Sequence, residues 1–115
     1  MFDMNKDILP VGSVVLLKKG KLRLMIVGLF PLMEDGVSYY DYCACLYPEG
    51  IVSTKTMGFF NRESIERVYS LGGFDDSANT FMNVIKEQEK QFTKSGKYKR
   101  IEIDQLDNIF PDDKK

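Results

Sequence analysis

Residues 9–50 contain three apolar runs separated by turn-forming residues, and no other stretch limits the fold so tightly. The runs at 11–17 and 22–27 are joined by Lys18-Lys19-Gly20-Lys21. The third run, 39–47, ends at Pro48-Glu49-Gly50. Each run has the length of a strand, and the breaks are hairpin-sized. The pattern predicts a three-stranded antiparallel meander. It leaves little room for an active site.

Both faces of 11–17 are largely apolar, so this strand is expected to be central or covered. Gly20 is expected to supply the positive φ of a tight hairpin. Gly28 marks a bulge or a strand end. In 39–47, Tyr39, Asp41, Cys43, Cys45 and Tyr47 should share one face, and Tyr40, Tyr42, Ala44 and Leu46 the other. The connector 29–36 mixes Leu29, Phe30, Leu32 and Met33 with Pro31 and Glu34-Asp35-Gly36. It reads as a loop over the sheet edge, or as an apolar lip open to a partner.

A short fourth strand is expected near residues 56–60. A helical turn capped by Asn61 should then lead into a last short strand through Ile65, Val68 and Leu71. Residues 75–95 form the one long helix. Asp75 or Asp76 caps it, Ala78, Phe81, Met82, Ile85 and Phe92 make its apolar stripe, and Ser95-Gly96 stops it. Beyond it, 96–115 is expected to hold a short strand or helix and a disordered tail. Residues 1–8 read as loose.

A chain of 115 residues makes one domain with a modest core. The expected fold class is α+β: a small, curved antiparallel sheet of four or five strands (9–73) packed with one long C-terminal helix.

Charge and composition narrow the function. The net charge is −1 and the cations are dispersed, which argues against nucleic acid as a partner. No apolar run reaches the roughly 20 residues of a membrane span, and the first ten residues lack a signal-peptide core. The expected location is the cytoplasm, with no membrane insertion.

The chain has no histidine, which excludes Ser–His and Cys–His nucleophiles. Cys43 and Cys45 are too few for an ordinary structural zinc site, and they read as small apolar core residues. No carboxylate pair is spaced for hydrolysis, and Asp41 reads as a solvent-facing or edge-strand charge. No catalytic residue, cofactor or metal is therefore expected. Tyrosines and phenylalanines are the better lead, because large rigid rings with polar tips serve interfaces. The candidate partner contacts are Tyr39, Tyr40, Tyr42, Tyr47, Phe30 and Phe59.

Several short blocks follow in a fixed order: Leu-Pro-Val-Gly-Ser-Val-Val-Leu-Leu (9–17), Arg-Leu-Met-Ile-Val-Gly (23–28), Tyr-Asp-Tyr (40–42), Leu-Tyr-Pro-Glu-Gly (46–50) and Phe-Asn-Arg-Glu-Ser-Ile (60–65). This order resembles a small uncharacterised family of Gram-positive bacterial proteins encoded beside LXG-domain toxins of the type VII secretion system. The resemblance covers residues 9–73, and nothing from Asp75 onward contributes to it. It implies a non-enzymatic chaperone or targeting adaptor that binds such a toxin before export. The partner would be a secreted toxin or a secretion component, with a homodimer also open. The alternative is an immunity protein that neutralises the neighbouring toxin.

Overall fold

The computed structural model describes residues 6–18, 20–51, 57–73 and 75–106. Its elements are β1 (Val14–Leu17), β2 (Arg23–Leu29), β3 (Ser38–Tyr39), β4 (Tyr42–Leu46), β5 (Gly58–Phe60), a 3-10 turn (Arg62–Ser64), β6 (Ile65–Ser70), α1 (Asp76–Ser95) and β7 (Lys99–Arg100). Five strands form one antiparallel sheet in the order β5-β4-β2-β1-β6. The meander predicted from residues 9–50 is its centre. Gly28 sits at a register shift between β2 and β4, as a bulge glycine should. The fold is α+β, but the helix lies mid-chain. After it the chain returns as β7, which runs parallel to β3.

One face of the sheet carries the core. Val15, Leu17, Leu24, Ile26, Tyr42, Ala44, Phe60 and Ile65 project from its strands, and Ile8 and Leu9 join them. Residues 6–8 are therefore anchored rather than loose; residues 1–5 lie outside the described residues. From α1, Ile85, Met82 and Phe92 reach this core. Phe92 packs against Phe30, Tyr39 and Tyr98 at ring-centroid distances of 5.9, 5.0 and 4.5 Å. Phe81, expected in the buried stripe, is 48% exposed, and so is about half of Val84. The helix touches the sheet along a narrower line than the 3.6-residue pattern allows.

Asp75 caps α1 by accepting a hydrogen bond from the Ala78 amide at 2.7 Å, and Gly96 ends it in the left-handed conformation at φ 67°. Gly20 does not carry the positive φ expected of it; Gly12, Gly36, Gly50 and Gly96 do. The strand expected near 56–60 starts at Gly58, and residues 52–56 lie outside the described residues. The tail from 107 onward does as well.

The single strand expected over 39–47 breaks after Tyr39 and resumes at Tyr42. The break turns Tyr39, Tyr40, Asp41 and Tyr42 all inward, at 5, 3, 0 and 0% exposure. Asp41 is the reason. Its carboxylate accepts from Arg62 Nε at 2.8 Å, from the Arg62 amide at 3.0 Å and from Arg100 Nη2 at 2.7 Å. Asn61, expected as a helix cap, makes no capping bond. Its side chain accepts from the Asp41 amide and donates to the Ile101 carbonyl. Arg62 continues to Glu89 on α1, and Arg100 to Glu63. A buried ionic hub thus ties sheet, helix and C-terminal segment together.

Candidate interface on the open sheet face

Strand alternation gives the second face of the sheet Val14, Leu16, Met25, Val27, Cys43, Cys45 and Phe59, of which Val14 and Cys45 are buried. The core contributions of α1, residues 8–9, Tyr98 and Leu106 all fall on the first face. Leu16, Met25, Val27 and Cys43 are only half-buried. Burial pushes the thiol pKa of both Cys43 and Cys45 up, so both stay protonated and unreactive near neutrality. Cys45 is a buried packing residue, as expected, and Cys43 is half-buried on the same face.

The register aligns side chains across this face. Arg23 and Arg67 each stand opposite Leu16, on its two sides. Tyr47, just past β4, donates its amide to the Arg23 carbonyl at 3.0 Å and so extends the same row. The row reads Tyr47, Arg23, Leu16, Arg67, one residue from each neighbouring strand line. Tyr69 follows on β6. The Arg23 guanidinium lies 5.2 Å from the Tyr47 ring centroid and 5.6 Å from that of Tyr69. The Arg67 guanidinium lies 5.2 Å from Tyr69. These cation–π contacts hold two guanidiniums in place over a partly apolar floor. Tyr47 and Tyr69 are 38% and 46% exposed.

At the hairpin end of these strands lies a groove of about 800 Å³, lined by Leu17, Lys18, Leu22, Glu63, Ile103 and Asp104 among others. Leu22 and Ile103 stand exposed beside it. Asp104 accepts from Ser64 through one oxygen, and its other oxygen is buried without a partner.

The six residues predicted as contacts divide sharply. Phe30, Tyr39, Tyr40 and Tyr42 are buried and offer almost no surface. Phe30 holds φ 51°, with its ring in the aromatic cluster on Tyr39 and Phe92. The apolar-lip reading of 29–36 therefore fails at Phe30, while Leu32 alone is strongly exposed. Tyr40 stacks on Phe59 at 5.6 Å and donates its hydroxyl to the Ile103 carbonyl. Phe59 is half-buried, and only Tyr47 of the six stands exposed. Sequence reasoning missed Arg23, Arg67 and Tyr69. Alternation within 65–70 marks Arg67 and Tyr69 as a shared face, but nothing local places Arg23 beside them.

No helix among the described residues is long and apolar enough to cross a membrane. Among the same residues, no cluster of three or more histidine, cysteine or acidic side chains is placed to hold a metal. Searches of curated proteins and of solved structures find no match. A family model described as a domain of unknown function, DUF4176, matches residues 8–82, which takes in the meander, β5, β6 and the first turns of α1. The match runs past residue 73, where the resemblance in sequence stopped. With most of its length covered, the chain belongs to the DUF4176 family.

Proposed function

We propose that this protein is a non-enzymatic accessory factor of type VII secretion, a chaperone or targeting adaptor that binds an LXG-type toxin before export. The observation that carries the binding role is the open sheet face, where Arg23 and Arg67 are held by Tyr47 and Tyr69 across adjacent strands. Rigid aromatic and arginine side chains on a partly apolar floor are the usual ingredients of a protein interface. The toxin as partner rests on the ordered blocks in residues 9–65.

Co-expression with the neighbouring toxin tests it. The expected result is a stable complex with the toxin's N-terminal region, and reduced toxin export when the gene is deleted. No complex, together with unchanged export, would sink the proposal. An immunity protein is the rival. It would bind the toxin's C-terminal domain and rescue cells that express that domain, whereas an export adaptor gives no protection.

A further inference from the structure

We infer that the open sheet face recognises an acidic segment, with carboxylates that pair with Arg23 and Arg67 and apolar residues that cover Leu16 and Met25. This rests on reading that face as the binding surface.

The chain has four arginines. Arg62 and Arg100 are consumed by Asp41 and by Glu89, Glu63 and Glu102. Arg23 and Arg67 are exposed, and neither lies within ion-pair distance of a carboxylate among the described residues. Their contacts are with tyrosine rings. A guanidinium over a ring still has its N–H edges free to donate, and that planar fork matches a carboxylate bidentately. The rings restrict both arginines beforehand, so less side-chain entropy is lost on binding.

Spacing and floor select the kind of partner. Arg23 and Arg67 flank Leu16 on its two neighbouring strands, so their backbones stand about 10 Å apart at the usual strand spacing. Acidic residues at i and i+7 of a helix lie about 10 Å apart. Residues between them would meet Leu16 and Met25. A nucleic acid needs a longer track of cations and gains nothing from that apolar floor.

Two titrations by calorimetry test the inference, using the full chain, R23Q/R67Q and R23E/R67E, each checked for fold by circular dichroism. In the first, the ligand is the N-terminal region of the neighbouring toxin. Wild-type binding should weaken several-fold between about 50 and about 300 mM salt. R23Q/R67Q should lose at least about tenfold in affinity, and R23E/R67E more. Unchanged affinity in R23Q/R67Q overturns the inference while leaving the adaptor reading standing.

In the second, the ligands are three amphipathic peptides that share one apolar pattern and carry Glu, Gln or Lys at the polar positions. The Glu peptide should bind tightest, and R23E/R67E should prefer the Lys peptide. That result without toxin binding would overturn the adaptor reading but support acidic recognition. Equal binding of the Glu and Gln peptides, or tighter binding of a labelled single-stranded oligonucleotide, overturns the inference.

Discussion

The Nε of Arg62 lies 2.8 Å from the Oδ2 of Asp41, a carboxylate with no exposed surface. That one contact brings the end of β3 to the entry of β6, and its extensions reach two further elements. Arg62 goes on to Glu89 in α1, and Arg100 brings β7 to the same carboxylate. A buried charge survives only when it is paired and hydrogen-bonded, and here two arginines and a backbone amide do so.

Removing the hub should therefore cost more than an ordinary core substitution. Asp41→Ala leaves Arg62 and Arg100 facing each other without their shared anion. The expected loss is about 3–5 kcal/mol of folding stability, read from urea unfolding. Exchanging Lys90, whose ammonium meets Glu87 only on the exposed side of α1, should change stability by less than about 0.5 kcal/mol.

Acid should act through the same residue. Burial alone would raise the Asp41 pKa, but hydrogen bonds from Arg100 and then Arg62 outweigh it and hold the carboxyl below its usual range. A carboxyl with a depressed folded pKa binds fewer protons when folded than when unfolded. Its stabilisation is fully present above the ordinary aspartate value near 4, and it fades as pH falls through the lowered folded value. The urea midpoint of the wild type should drop between about pH 5 and about pH 2 more steeply than that of Asp41→Asn.

Two tyrosines of the run 39–47 should behave oppositely. The Tyr42 hydroxyl is buried and accepts the Leu9 amide at 2.9 Å. Tyr42→Phe strands that amide and should cost about 1–3 kcal/mol. Tyr47→Phe removes an exposed hydroxyl and should stay within about 0.5 kcal/mol. Paired denaturation curves decide it.

Gly72 tolerates no side chain. A Cβ there would sit 2.1 Å from the Val11 carbonyl oxygen, a backbone atom that cannot swing aside. The Gly72 amide also donates to Ser13 Oγ, which in turn donates to the Pro10 carbonyl. Gly72→Ala should destabilise by about 2–3 kcal/mol, measured as a fall in thermal midpoint.

Tyr69 should separate binding from folding. It touches both guanidiniums yet is nearly half exposed. Tyr69→Ala should weaken partner binding by about 2 kcal/mol, as a central aromatic anchor does, and change folding stability by less than about 0.5 kcal/mol. A titration beside a melting curve measures both.

The meander, the bulge at Gly28, the α1 cap at Asp75 and its stop at Gly96 were all readable along the chain. Each depends on residues within a few positions of one another, and alternation, capping and left-handed glycines are local chemistry. Tyr39 to Tyr42 defeated that reasoning. Alternation put Asp41 on a surface, because a lone carboxylate in a strand is ordinarily solvated. Its partners lie 21 and 59 residues away, beyond any local pattern.

The candidate interface follows the same division. Sequence alone determined that the chain makes a small antiparallel sheet with one long helix. Only the tertiary structure decided which aromatics face out. Burying Asp41 between Arg62 and Arg100 drew Tyr39, Tyr40 and Tyr42 into the interior, and strand register brought Arg23, Arg67 and Tyr69 together on the open face. Register and ion pairing join residues far apart in sequence, so they exist only once the sheet has closed.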